Sequence, residues 1–366
     1  MKKIIFVNNP AATSGGALTI LKQFIQQVAQ ENENFYFYIF CSYDLSAYER
    51  DNIKIIILNN NKKWKNRIYW DFVGLKKWSL QNNVVPSIII SLQNTGVYNF
   101  GGIEQVIYLH QPFPYYYEYK WKFSKKEERI YWFYKNIYKH LIQFSINRKT
   151  HIVVQSNWLK KRVSKMHNVD LNKIYVIKPH IEIPEEKVEN KNVESYLFFP
   201  ASGLQYKNHD ILIRALSIIK QEYKKKIFLV LTLASESQYS NKLFELAREL
   251  DVKDQVSFVG NLSYEEVFNY YKECNLVVFP SYLETFGLPL IEAASFKKPI
   301  VASDLEYAKE ALEGYAGVKF AQHNSPQDWA EAILNQLVDC QECSYQRKID
   351  IRVVDQWNKI FETMLH

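Results

Sequence analysis

Two glutamates, Glu284 and Glu292, bracket the stretch of this 366-residue sequence in which chemistry is most concentrated. Ahead of them Leu276 to Phe279 is a short apolar run of β type, and Pro289 suits the first turn of a helix. After the Lys297, Lys298, Pro299 break, Ile300 to Ala302 reads as a second buried strand. The pattern predicts strand, loop, helix, strand, with the loop opening at the carboxyl edge of a parallel sheet, where open α/β sheets bind ligands. Backbone amides of Phe286, Gly287 and Leu288, just ahead of a helix N-terminus, suit the oxygens of a phosphate ester, and the helix dipole favours the same negative charge. Gly287 lets the chain pass close to a ligand. A carboxylate accepts hydrogen bonds from paired hydroxyls, so Glu292 suits a ribose diol and Glu284 a sugar hydroxyl beyond the phosphates. The plainer alternative is two solvated acids near a helix start, a common place for them.

Taken together, Glu284-x7-Glu292, with Thr285, Phe286, Gly287, Leu288 and Pro289 between and Pro299 after the helix, closely resembles the donor-site signature of the family 4 retaining glycosyltransferases of GT-B fold. The likeness is strongest over residues 196–340 and patchier before them. It implies an α/β chain of two Rossmann-like domains facing across a cleft. Residues 1–180 would form the acceptor-binding domain, 181–345 the donor-binding domain, and a helix within 346–366 would cross back onto the first. The implied reaction moves a sugar from a nucleotide-diphosphate donor, a UDP-sugar ahead of a GDP-sugar, to a glycan or lipid-linked acceptor in cell-surface polysaccharide or glycoconjugate synthesis. Retention would proceed by front-face attack, the departing phosphate accepting the acceptor's proton.

Other loops at predicted carboxyl edges supply further candidates. Lys207 ends the loop Pro200 to Asn208, where an ammonium would neutralise a diphosphate oxygen; taken alone it is an ordinary surface lysine. Relatives often carry an arginine a few residues earlier, and Ser202 to Tyr206 contains none. The resemblance implies that Gly260 and Asn261, at the end of a strand, lie against the nucleobase. It also matches Gly15 and Gly16 to a paired glycine across the cleft from the donor phosphates; neither G-x-G-x-x-G nor a Walker A pattern occurs here. His110 follows the strand Gln105 to Leu109, and the resemblance sets it next to the donor sugar; a lone histidine is otherwise more often structural. His110, Lys207 and Glu284 are therefore the catalytic candidates. No Asp-x-Asp occurs and no Cys/His cluster has ligand spacing, so no metal and no cofactor are expected.

Composition, with 47% hydrophobic and 15% aromatic residues, supports two sizeable cores. The opening MKKIIFVNN has too short an apolar run for a secretory segment and reads as a first strand. No stretch approaches the roughly eighteen apolar residues of a spanning helix, and the expected location is cytoplasmic or peripheral on the inner membrane face. All four cysteines, including Cys340 and Cys343, read as reduced thiols. Charge is asymmetric: residues 1–180 carry 26 Lys and Arg against 11 Asp and Glu, and the remainder 20 against 28. Such a split points to nucleic acid or a membrane, and without a nucleic-acid motif the expectation is an anionic lipid surface. Between Phe113 and Lys149 lie thirteen aromatics and nine Lys or Arg. Tyr115, Tyr116 and Trp121, with Lys120, Lys122, Lys125 and Lys126, are the predicted membrane or acceptor surface. Ser124 and Glu127 predict a capping box for the helix that follows. The charged segment Lys178 to Asn192 reads as a linker, and Pro179, His180, Ile181 departs from the family's Pro-Asn-Gly-like turn. A sugar-nucleotide epimerase and a non-catalytic partner subunit on the same fold are the rival readings.

Overall fold

The computed structural model describes residues 2–12, 15–58, 64–179, 196–234, 236–339, 343 and 353–365. The predicted linker and the Pro179, His180, Ile181 turn fall largely outside them. The chain divides into two compact units, Met1–His180 with Asp350–His366, and Ile181–Ile349.

The first unit is built on seven strands: β1 (Lys3–Asn9), β2 (Phe35–Cys41), β3 (Ile53–Ile57), β4 (Ile88–Ser91), β5 (Glu104–Leu109), β6 (Thr150–Val154) and β7 (Ile174–Val176). They pair in parallel in the order β3-β2-β1-β4-β5-β6-β7. β4 and β6 are buried along their whole length, as expected of strands covered on both faces. The chain runs outward from β1 to β3, returns to the middle, and continues the other way. The order therefore reverses between β1 and β4, and the crevice beside a reversal is where such sheets present ligand groups.

The helix Val353–Leu365 belongs to this unit. Trp357, Ile360, Phe361 and Met364 join the buried cluster around Ile5, Phe24 and Phe37, with Trp357 edge-on to Phe24 at 5.0 Å and Phe361 edge-on to Phe35 at 5.1 Å. Each such side chain taken from water contributes about 1.5–3 kcal/mol, which holds the end of the chain on the first sheet.

The second unit has six strands: β8 (Tyr196–Phe199), β9 (Phe228–Leu231), β10 (Val256–Phe258), β11 (Leu276–Phe279), β12 (Ile300–Ser303) and β13 (Val318–Ala321). They too are parallel, in the order β10-β9-β8-β11-β12-β13. Here the reversal lies between β8 and β11. Helix Tyr264–Glu273 opens with a full capping box, Ser263 Oγ accepting from Glu266 N–H and the Glu266 carboxylate accepting from Ser263 N–H at 2.7 Å.

Two expectations fail. The helical stretch after residue 125 begins as a 3-10 turn with Lys125 at its N-cap and no side-chain cap bond, so the Ser124 and Glu127 box does not form. The reason is Glu128, which is fully buried and accepts from Lys122 N–H at 2.7 Å and Tyr119 O–H at 3.1 Å, drawing the turn inward. Cys41 and Cys274 are buried free thiols, but Cys343 is disulfide-bonded, against the reduced reading; Cys340 lies outside the described residues.

Candidate active site

The two loops that leave β8 and β11 meet at the reversal point of the second sheet. Asn208 takes a left-handed conformation (φ 62°), which Asn tolerates better than most residues, and this turns the chain after Lys207. Its amide donates to Pro280 O at 3.2 Å and His323 O at 2.8 Å, while Tyr282 N–H donates to Tyr206 O at 3.0 Å. Stitched in this way, Lys207 Nζ donates to Glu284 Oε1 at 2.5 Å, and Ser281 Oγ donates to the same oxygen at 2.6 Å. The side chains of both partners are about one-seventh exposed, 13% for Lys207 and 15% for Glu284, so the pair is sheltered yet still open to a ligand.

Three residues on, Gly287 caps helix Leu288–Ser295 in the left-handed region (φ 82°), with no side-chain cap bond. A Cβ there would lie 3.2 Å from Leu290 Cδ1 and 3.4 Å from the Tyr307 ring, so both backbone and space call for glycine. Phe286 is buried beneath the loop, with Thr285 and Leu288 on either side of the Phe286–Gly287 turn. Glu292 lies within the helix; its Oε2 accepts from Tyr271 O–H at 3.2 Å, and the same hydroxyl lies 3.1 Å from Pro289 O. Burial raises the Glu292 pKa, and the Tyr271 hydrogen bond opposes it. Gly260 (φ 84°) and exposed Asn261 follow β10 on the same edge, and a Cβ on Gly260 would meet open space.

The remaining candidates lie in the first unit. Gly15 and Gly16 open helix Gly15–Phe24, where a Cβ on Gly16 meets nothing within 4 Å. His110 directly follows β5 and is held by Asn94, whose Oδ1 accepts from His110 N–H at 2.7 Å while its Nδ2 lies 3.2 Å from His110 Nε2. Burial, with Arg67 nearby, lowers the His110 pKa to about 4.

The proposed membrane surface needs correcting. Tyr115, Tyr116 and Trp121 are buried, since Trp121 packs on Tyr119 at 4.5 Å and Tyr131 at 4.7 Å, and Tyr115 O–H bonds His167 Nε2 at 3.0 Å. These rings fill the space between their own loop and the helix behind it. Lys120, Lys122, Lys125 and Lys126 are exposed, but Lys125 Nζ is bound to the buried Glu128 at 3.1 Å. Between Phe113 and Lys126 the large apolar groups left facing water are Tyr117 and Phe123.

Ser281, Tyr271, Asn208 and Asn94 escape sequence reasoning. Only Asn208, a turn-forming residue next to Lys207, carries a local signal.

Residues 181–349 match the family described as glycosyl transferases group 1. The O-antigen chain mannosyltransferase RfbU of Salmonella typhimurium is 26% identical over 201 residues, 55% of either chain. The chain spans about half or less of the length of the curated relatives it matches. Among solved structures, a glycosyltransferase from Rickettsia africae superposes with a TM-score of 0.66 at 18% identity, over 100% of this chain and 99% of that one. Anabaena Alr3699/HepE in complex with UDP-glucose gives 0.66 at 18% identity over 99% of each. The fold is thus the two-domain GT-B class.

Proposed function

We propose that this chain is a retaining glycosyltransferase of family 4, moving a sugar from a nucleotide-diphosphate donor to a glycan or lipid-linked acceptor in cell-surface polysaccharide synthesis. The observation that carries the reading is the Lys207–Glu284 pair at the reversal point of the second sheet, inside the segment that matches the group 1 transferases. RfbU, named for O-antigen mannosyl transfer, and Alr3699/HepE, solved with UDP-glucose, support the substrate class. An ammonium has three donors; Glu284 takes one and leaves two for diphosphate oxygens. Together with the uncapped amides at Gly287 they form a fixed clamp on the leaving group, which compensates for the missing arginine. Glu292 takes the ribose diol and Glu284 a sugar hydroxyl, while His110 serves as a hydrogen-bond partner of a substrate hydroxyl. The two glutamates then bind; they are not a glycosidase pair, whose carboxyls face each other across one glycosidic bond.

A thermal-shift panel of UDP-, GDP- and ADP-sugars, followed by NMR of the product's anomeric centre, tests this. One nucleotide class should stabilise the protein, and the product should keep the donor's anomeric configuration. Donor turnover without any acceptor would point to an epimerase, and no stabilisation by any donor to a partner subunit. With the diphosphate held by Lys207 and amides, transfer should also continue in excess EDTA. Loss of activity to the chelator and its return with Mg²⁺ or Mn²⁺ would overturn the clamp.

The basic half is proposed to dock on anionic membrane through Lys120, Lys122 and Lys126, flanking exposed Phe123. No helix among the described residues is long and apolar enough to cross a membrane. Each lysine near an anionic surface contributes about 1 kcal/mol, so three give salt-sensitive, reversible attachment. Changing these three to glutamate, with Lys125 kept for Glu128, should abolish co-sedimentation with anionic vesicles and leave transfer to a soluble acceptor intact. Equal binding by the variant would show that the surface is merely basic.

A further inference from the structure

We infer that Asn94 is a positioning residue that fixes His110 as a neutral imidazole carrying its proton on Nδ1, the form able to donate to a substrate oxygen. The inference rests on the reading of His110 as a substrate contact and adds the group that sets its tautomer.

One carboxamide, that of Asn94, has two neighbours on His110. Asn94 follows β4 and is left-handed (φ 69°), and its own N–H donates to Tyr108 O at 3.2 Å across the neighbouring strand. The backbone N–H of His110 can only donate, so the Asn94 atom 2.7 Å from it must be the oxygen. The other end of the amide, facing His110 Nε2 at 3.2 Å, must then be the NH₂ group. An NH₂ group donates, so Nε2 has to accept and bears no proton. In a neutral ring the proton therefore lies on Nδ1.

The surroundings keep the ring neutral and the amide still. Burial, then the Arg67 charge, disfavours the imidazolium. Gln93, which precedes Asn94, donates through Nε2 to both oxygens of buried Asp71 at 2.7 and 2.9 Å, and its carbonyl accepts from Arg67 Nη2 at 2.9 Å. Asp71 also accepts from Asn8 Nδ2 at 2.8 Å, tying the ends of β1 and β4 together at the reversal point of the first sheet. His110 Nδ1 is shut off from water and has no hydrogen-bond partner among the described residues, although the residue as a whole keeps part of its surface exposed. A buried donor without a partner costs about 1–3 kcal/mol, a penalty that a substrate oxygen relieves once the side chains covering Nδ1 shift to admit it.

The test is direct observation of the ring. Protein labelled with ¹⁵N-histidine, with the His110 signals assigned by their loss in His110→Gln, should show a neutral ring with a pyrrole-type Nδ1 and a pyridine-type Nε2 at neutral pH. The reverse pattern in the wild type would overturn the proposal, whatever any variant does. In Asn94→Asp a carboxylate oxygen replaces the NH₂ group and calls for a proton on Nε2, so the Nε2 signal should become pyrrole-type. Asn94→Gly keeps the left-handed backbone and removes the amide, and should give a mixture of tautomers. An unchanged His110 spectrum in both variants would overturn the assignment. Transfer by Asn94→Asp should fall at least tenfold in kcat, with affinity for the bare nucleotide unchanged. A switched tautomer with undiminished transfer would leave Asn94 as the positioning group and overturn the substrate-contact reading of His110.

Discussion

Replacing Lys207 with methionine should lower the transfer rate by about 10²- to 10³-fold, the usual effect of removing one preorganised group facing developing negative charge. Two consequences of the geometry act in the same direction. The ammonium that would meet the departing diphosphate is gone, and Glu284, held at 2.5 Å by that ammonium and at 2.6 Å by Ser281, becomes an uncompensated carboxylate beside the anion. Methionine keeps the length of the apolar stem and removes the ammonium, which also lies over the Tyr206 and Phe279 rings at 5.4 and 5.8 Å from their centres. Glu284→Ala should slow transfer mainly through kcat, because it frees Lys207 for the phosphates but removes the partner of the sugar hydroxyl. In the double variant the like-charge penalty disappears, so its defect should be smaller than the product of the two single defects. Single-turnover rates for the four proteins decide the matter. Wild-type rates in Lys207→Met would remove the clamp from the mechanism.

Glu292→Ala should weaken nucleotide binding by about 10- to 150-fold, as losing a hydrogen bond to a charged group costs roughly 1.5–3 kcal/mol. Its position inside the helix, with Tyr271 O–H on Oε2 at 3.2 Å, leaves acceptor capacity on the carboxylate for a diol. Tyr271→Phe keeps the ring between Phe198 and Phe296 and removes only the hydroxyl, so its effect should have the same sign and be smaller. The pH dependence has a definite sign. Burial raises the Glu292 pKa, so protonation begins at higher pH than for an exposed glutamate, and the protonated form loses the acceptor that a diol needs. Nucleotide affinity should therefore fall as pH is lowered through that raised value, and the fall should be absent in Glu292→Gln. Calorimetric titration of the nucleotide at several pH values measures it; equal affinity in wild type and Glu292→Ala would take the ribose away from this residue.

Short apolar runs alternating with helical periodicity were enough to determine two parallel sheets, because strands covered on both faces are apolar along nearly their whole length, as Ile88–Ile90 and Leu276–Phe279 are. Motif spacing likewise put the Glu284 loop at a carboxyl edge, since a strand leading into a helix through a short loop has no other place for it. β13 (Val318–Ala321) has a weaker signal: it is a partly exposed edge strand with a lysine in four residues, and an edge does not demand apolarity on both faces.

Pairing across distance belonged to tertiary structure alone. Lys207 and Glu284 stand 77 residues apart, and only the adjacency of β8 and β11 makes them a salt bridge. The same holds for Tyr271 on Glu292 and Asn94 on His110, where the supporting residue is of a common type with no local mark. The aromatic run after Phe113 shows the limit most clearly. Its composition suits a core and a membrane interface equally well, because a ring gains by leaving water in either place. The helix behind it and the buried carboxylate of Glu128 turned Tyr115, Tyr116 and Trp121 inward and left the lysines out.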